Sequence, residues 1–296
     1  LTQVLLAGGA RAPLPGTPGL FETDDDGRYS LTALGELLRS DVEGLARRAA
    51  IIGTDEWCRR AYGHLNHSLL TGEPGFYPAH GCGFWQYLAA HPDEAAAFDD
   101  AMSSSSRRRA EAFAQAYDFD AIARLVDVGG GQGVLLRTVL EAHPHLRGVV
   151  YDLPPVIEQA RRCLGEAGLP ERCKALAGDF FESVPSGGDA YLLSWILHDR
   201  DDRAAARILA NCRAALGDRG RLLLIEMVLP SGDQAGAAPG IARIARALDL
   251  QMLVLVGGRE RTAAEYRGLL EGTGFTLTGV LLLEGTLWSG IEAVPA

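Results

Sequence analysis

The sequence is defined first by what it has little of. No run of apolar residues approaches the roughly 20 needed to cross a bilayer, so no membrane partner is expected. The chain starts at Leu1, no secretory signal is read there, and the expected location is the cytoplasm. Positive charge is scarce, with 28 Lys and Arg against 38 Asp and Glu and a formal net charge of -10. That balance argues against nucleic acid as a partner, because phosphate contacts demand clustered Lys and Arg, and the single basic cluster, Arg107 to Arg109, is too short to reverse it. Cysteine is also sparse. Cys58, Cys82, Cys163, Cys173 and Cys212 form neither CxxC pairs nor a zinc spacing, which suits free thiols in a reducing compartment and implies no metal. Internal repeats are absent, and SSSS at 103–106 is the one low-complexity patch. What remains is 296 residues of ordinary globular composition, 47% hydrophobic and 22% charged, enough for one large domain and a smaller one.

From about residue 124 onward, short Val/Leu runs alternate with helical patterns. This is the signature of an α/β fold with a parallel sheet. The runs 124–129, 148–152, 174–179, 190–195 and 221–229 read as strands buried on both faces. Helices are expected to start near Gln132, Pro154 and Asp201, and a long apolar helix through Met252 follows a connector at Ser231 to Gly240. Thr262 and Glu265 make a capping box for a further helix to about Glu271. Two alternating segments, 276–284 and 286–294, are spaced as a hairpin and imply an antiparallel edge. Upstream, FETDDDGRYSLTALGELLRSD (21–41) reads as a β-hairpin wing followed by a helix, a winged-helix shape whose acidic wing argues against DNA. Residues 42–118 read as mostly helical, broken by a loop at TGEPGFYPAHGCG (71–83).

The stretch LVDVGGGQGV (125–134) is an apolar strand that opens a helix through three consecutive glycines. It lacks the Lys-Ser or Lys-Thr of a phosphate loop, which removes nucleoside triphosphates, and Val134 stands where the dinucleotide fingerprint needs its third glycine. Asp152 ends the second strand, 19 residues beyond Gly133, where an acid accepts from both hydroxyls of a ribose. That feature is shared by NAD and S-adenosylmethionine sites. The third strand ends GDFF (178–181), an acid followed by aromatics suited to an adenine amino group and ring face, and NAD folds do not usually present it.

Six ordered segments now carry a resemblance: DVGGGQG, YDLP, GDFF, LSWILHDRDD, LLIEMVLP and GGRERTAAEYRGLLEGTGF. The chain resembles the small-molecule O-methyltransferases that include plant caffeate-type and bacterial polyketide-tailoring enzymes, over nearly its whole length. The resemblance implies a Rossmann-like class I methyltransferase sheet in residues 119–296. It also implies a mainly helical winged-helix domain in residues 1–118 that serves dimerisation and roofs the substrate. S-adenosylmethionine becomes the expected cofactor and S-adenosylhomocysteine its product, with a homodimer and a small aromatic acceptor as partners.

An O-methyltransferase must align an oxygen behind an electrophilic methyl and remove that oxygen's proton. His198 directly follows the fourth strand, at the end where open α/β sheets bind ligands, and an imidazole suits proton removal. The family match makes Glu226 and Glu260 the two acids flanking it. Otherwise Glu226 is a strand-end acid in water and Glu260 pairs with Arg259 or Arg261. Asp199 is carried over as a substrate or cofactor contact, or else begins the cap of the next helix. The cofactor set implied by the resemblance is Gly129 and Gly131 at the loop, Asp152 and Leu153 at the ribose, Asp179 and Phe180 at the adenine, Ser106 near the methionine carboxylate, and Ser194. Met102 and Met252 match methionines that sandwich an aromatic acceptor. Arg200 stands where the family commonly has Trp, which favours an acceptor bearing a carboxylate. The rival readings are a same-fold hydroxylase or decarboxylase, a catalytically silent dimeric binding protein, and a DNA-binding regulator.

Overall fold

The structure, a computed structural model, describes residues 19–42, 45–231 and 239–296. The first 18 residues of the expected N-terminal domain, and most of the connector expected at Ser231 to Gly240, lie outside the described residues. The chain forms two compact units, one up to Asp55 and one from Glu56. In the first, strands β1 (Phe21–Thr23) and β2 (Tyr29–Leu31) pair antiparallel, with Phe21 opposite Leu31. Asp24 makes the turn between them: its Oδ1 accepts from the amides of Asp26 (3.0 Å) and Arg28 (2.8 Å). Helices α1 (Ala33–Glu36), capped by Thr32, and α2 (Leu45–Thr54) follow.

The second unit begins with helices α3 (Glu56–Tyr62), α4 (Leu65–Thr71), α5 (Phe76–His80), α6 (Phe84–Ala90) and α7 (Pro92–Ala116). Helix α5 lies inside the segment read as a loop. Its Gly and Pro residues signal a break, but burial decides otherwise. The Phe76 ring is fully buried, 5.4 Å from Phe84 and 4.3 Å from His80, and Gly81 in the left-handed conformation ends the turn.

Then come β3 (Arg124–Val128), α8 (Val134–Ala142), β4 (Arg147–Asp152), α9 (Pro154–Glu166), β5 (Cys173–Ala177), β6 (Ala190–Ser194), α10 (Asp202–Ala215) and β7 (Arg221–Glu226). The chain closes with β8 (Val228–Leu229), α11 (Pro239–Val256), β9 (Arg261–Thr262), α12 (Ala263–Glu271), β10 (Phe275–Leu282) and β11 (Ser289–Pro295). One seven-stranded sheet has the order β10-β11-β7-β6-β3-β4-β5. Strands β3 to β7 are parallel; β11 runs antiparallel to both β7 and β10. Val126, Val128, Leu192, Leu193, Leu222 and Leu224 are fully buried in its middle, as their unbroken apolar runs require.

The run read as one strand over 221–229 is two. Strand β7 stops at Glu226, opposite Ser289 of β11, and after buried Met227 the chain leaves the large sheet. Strand β8 pairs instead with β9, Val228 opposite Arg261. This short parallel pair brings GGRERT beside the end of β7, and the site depends on it.

Candidate active site

Strand β6 ends at Ser194 and delivers the chain into a tight turn. Trp195 has φ 59°, a left-handed conformation costly for a large L-residue, and its amide donates to the Ile225 carbonyl at 3.1 Å. Glu226 secures the next two residues, its Oε1 accepting from the amides of Ile196 (3.1 Å) and Leu197 (3.0 Å). His198 follows, 5% exposed. Its Nδ1 lies 2.9 Å from Glu260 Oε1, and its Nε2 lies 3.4 Å from Asp199 Oδ1. A carboxylate only accepts, so Nδ1 carries the proton in that bond and Nε2 is the nitrogen left to take another.

Glu260 reaches His198 because the backbone before it can come unusually close. A Cβ on Gly258 would sit 2.0 Å from the His198 carbonyl oxygen, so only glycine fits. The Arg259 amide donates to that carbonyl at 2.8 Å, and the Glu260 amide donates to Asp249 Oδ1 at 2.9 Å. The alternative partners for Glu260 are engaged elsewhere: Arg259 with Glu265 and Asp202, and buried Arg261 with Asp202 and the carbonyls of Leu197 and Arg200. Glu226 is fully buried, so it is not a strand-end acid in water. Asp199 is not the helix cap either, since Asp201 accepts from the Ala204 amide at 2.7 Å in that role.

The electrostatics follow from packing three acids around one imidazole. Burial pulls the His198 pKa down, but Asp199, Glu260 and Glu226 overturn it and push the imidazole up to about 9. Burial, against the pull of His198, raises Glu226 to about 7. Asp199 is also raised, by burial, with His198 and Arg200 opposing. The second oxygens of Glu226 and Glu260 are buried with no hydrogen-bond partner among the described residues. The proton affinities of His198, Asp199 and Glu226 are therefore coupled, each set in part by the charge of its neighbours.

The glycine loop lies next to this turn: a Cβ on Gly129 would come within 2.5 Å of Ile196 and 3.4 Å of the Phe180 ring. Gly129, Gly131 and Gly133 all have positive φ, and nothing lies within 4 Å of where a Gly131 side chain would be, so the loop backbone faces open space. Asp152 closes one side, with Oδ2 accepting from the Gly131 amide (2.9 Å) and Oδ1 from the Leu153 amide (2.7 Å), and burial raises its pKa. Asp179 Oδ1 accepts from the Phe181 amide at 2.8 Å, and the Asn211 side chain holds the Phe180 carbonyl. Leu153 is half-exposed and Phe180 half-buried. An open glycine backbone, one carboxylate with spare lone pairs beside it and an acid–aromatic pair at the next strand end fit the adenosine of S-adenosylmethionine. Ser194 Oγ is buried without a partner among the described residues. Among those residues no group of three or more His, Cys, Asp or Glu could hold a metal.

Met102 and Ser106 lie half-buried on α7, and Met252 half-buried on α11. The guanidinium of Arg200 lies 5.4 Å from the centre of the Phe181 ring, on the side of the GDFF pair. Three residues of the neighbourhood were not anticipated. Arg109 belongs to a basic run too short for nucleic acid. Trp195 lies inside LSWILHDR, a segment read for Ser194, His198, Asp199 and Arg200, and Trp288 carries no motif. Asp127, inside the glycine motif, is buried and raised to about 7 by burial and by Asp152, with Arg109 opposing.

Comparison with known proteins agrees with this geometry. Residues 62–276 match the O-methyltransferase domain. The phenazine O-methyltransferase PhzM of Lysobacter antibioticus is 38% identical over 294 residues, covering 97% of this chain and 84% of that protein. The structure of the mitomycin 7-O-methyltransferase MmcR superposes with a TM-score of 0.83 at 37% identity, over 94% of this chain and 80% of that one. An O-methyltransferase from neocarzinostatin biosynthesis, in complex with S-adenosylmethionine and 2-hydroxy-5-methyl naphthoic acid, gives a TM-score of 0.80 at 34% identity, over 100% of this chain and 83% of that one. None of the three favours the hydroxylase or decarboxylase alternative. The chain belongs to the O-methyltransferase domain family and is an S-adenosylmethionine-dependent O-methyltransferase.

Proposed function

We propose that the enzyme methylates a phenolic hydroxyl of an aromatic natural-product intermediate, an acceptor that bears a carboxylate, with His198 as general base. The observation that carries this reading is the buried His198–Glu260 pair at 2.9 Å, set at the carboxyl end of β6 beside the glycine loop. The cofactor would be held by Gly129, Gly131, Asp152, Leu153, Asp179, Phe180, Ser106 and Ser194, and it supplies the electrophilic methyl. His198 Nε2 takes the acceptor proton. Glu260 fixes the tautomer and, with Glu226 and Asp199, stabilises the imidazolium that forms. A phenol has a pKa near 10, the value for Tyr, so it is mostly protonated at neutral pH and its proton needs an acceptor. Met102, Met252, Asp199 and Arg200 form the acceptor wall in this reading, and the naphthoic acid bound by the relative described above supports an acidic aromatic. Residues 1–118 serve dimerisation and acceptor closure, with the hairpin and helix of the first unit as part of a winged-helix domain. Residues 119–296 bind the cofactor, and the enzyme acts as a cytoplasmic homodimer. Methyl-labelled S-adenosylmethionine offered with a panel of phenolic acids tests the reading. Label should appear as an aryl methyl ether, and cofactor binding without label on any oxygen would overturn it.

A further inference from the structure

The arginine run on α7 divides sharply: Arg107 and Arg108 are exposed, whereas Arg109 is 3% exposed. Its guanidinium carbon lies 4.1 Å from the centre of the Trp195 ring and 5.0 Å from that of Trp288, and the two indoles meet edge to face at 5.4 Å. Its Nη2 donates to Ser106 Oγ at 3.0 Å. A desolvated guanidinium over indole is the strong form of a cation–π contact, and its planar stacking is something lysine cannot reproduce.

Trp195 is the residue this clamp grips, and among the described residues it is the one non-glycine with positive φ. A strained turn persists only where its surroundings over-determine it. The same Trp195 ring also packs against the proposed base, its centre 5.2 Å from that of the His198 imidazole. Trp288 precedes Ser289, the residue opposite Glu226 in the sheet. Thus one guanidinium ties α7, the carrier of Met102 and Ser106, to the turn that carries His198.

We infer that Arg109 is a positioning residue for methyl transfer: stacked on Trp195, it fixes the His198 turn relative to the ligand-facing residues of α7. The inference rests on the reading of His198 as the base. Burial draws the guanidinium down to about 9 while Glu226 and Asp127 hold it up.

The test uses the full-length enzyme with Arg109→Met, Arg109→Lys and, as reference, His198→Gln. Misplacement of a reacting group by about an ångström costs up to about 100-fold, so Arg109→Met should lower kcat roughly 10- to 100-fold while acceptor KM and S-adenosylhomocysteine affinity stay within about threefold. Tryptophan emission should shift as the indoles lose the cation. Arg109→Lys keeps the charge without the stack and should still lose roughly tenfold in kcat, so it carries the test if the Met variant does not fold. Folded Lys and Met variants with parental kcat would overturn the inference, whatever their melting temperatures. So would a loss confined to cofactor affinity, which would put Arg109 in the cofactor site instead. If His198→Gln is impaired and the Arg109 variants are not, this inference alone fails; if His198→Gln is unimpaired, the base assignment fails with it.

Discussion

Replacing Glu260 with Gln removes one negative charge from the site and keeps an oxygen able to accept from His198 Nδ1, 2.9 Å away in the parent. Burial alone depresses the imidazole, and it stands at about 9 because three carboxyl groups surround it. An adjacent opposite charge is worth roughly 1–3 pKa units, so losing Glu260 should return His198 to roughly 6–8. The rising limb of kcat/KM against pH follows the base of the free enzyme. It should lie near pH 9 in the parent and roughly 1–3 units lower in the variant. The variant has the weaker base, so it should be slower above the parent's limb, and its deficit should shrink or reverse near neutrality, where more of its imidazole is unprotonated. Initial rates from pH 6 to 10.5 at saturating cofactor measure this, with melting curves to confirm that both proteins stay folded. A limb at the same pH in both enzymes would show that the titrating group is not the one Glu260 touches.

Asp152→Ala should weaken S-adenosylhomocysteine binding by roughly 1.5–3 kcal/mol through loss of a charge-assisted contact, and unchanged calorimetric affinity would remove Asp152 from the site. If Arg200 selects acidic acceptors, phenolic acids should be turned over faster than their methyl esters and Arg200→Trp should abolish the difference; equal turnover by the parent contradicts it. Stability should fall as pH rises from about 5 to 9. His198, raised to about 9, contributes stability that is complete below its unfolded value of 6.5 and lost as pH passes through 9. Glu226 and Asp127, both raised to about 7, make the folded state hold protons that the unfolded chain sheds, which acts in the same direction. Melting temperatures across that range should therefore decline, and less steeply in Glu226→Gln. A rise from pH 6 to 9 would show that the acids are not buried as described.

The parallel strands were legible because strands buried on both faces leave unbroken Val and Leu runs, and the capping box at Thr262 and Glu265 formed as its spacing requires. The end of β7 was not. Leu222 to Leu229 is apolar except for Glu226, and the break after it is decided by pairing between β8 and β9, a non-local event. Helix α5 was hidden for a similar reason, since local Gly and Pro signals were outweighed by rings that meet only in the folded chain. In the site, His198 and its acids stand out from their motifs, but which partner each side chain meets is decided only in the folded chain: Asp201 takes the cap and leaves Asp199 beside His198. Arg109 could not be found in the sequence at all. An arginine among three reads as surface charge until α7 turns it onto two indoles contributed by residues 86 and 179 positions further along the chain.

If His198 removes the acceptor proton, the acidity of the acceptor sets how much the residue matters, and a series of acceptors graded in phenol acidity measures that dependence. Turnover by His198→Gln, relative to the parent, is measured for each acceptor at one pH. A positioned base contributes roughly 10²–10⁴-fold, so the variant should lose that much on phenols of ordinary acidity while cofactor affinity and melting temperature hold. The loss should shrink steadily as the acceptor becomes more acidic, because an oxygen already ionised needs no base. Adding Glu260→Gln to His198→Gln should cost little more, since groups acting as a unit are not additive. A deficit independent of phenol acidity would leave His198 as a residue that positions the acceptor without deprotonating it, and general-base catalysis would be ruled out.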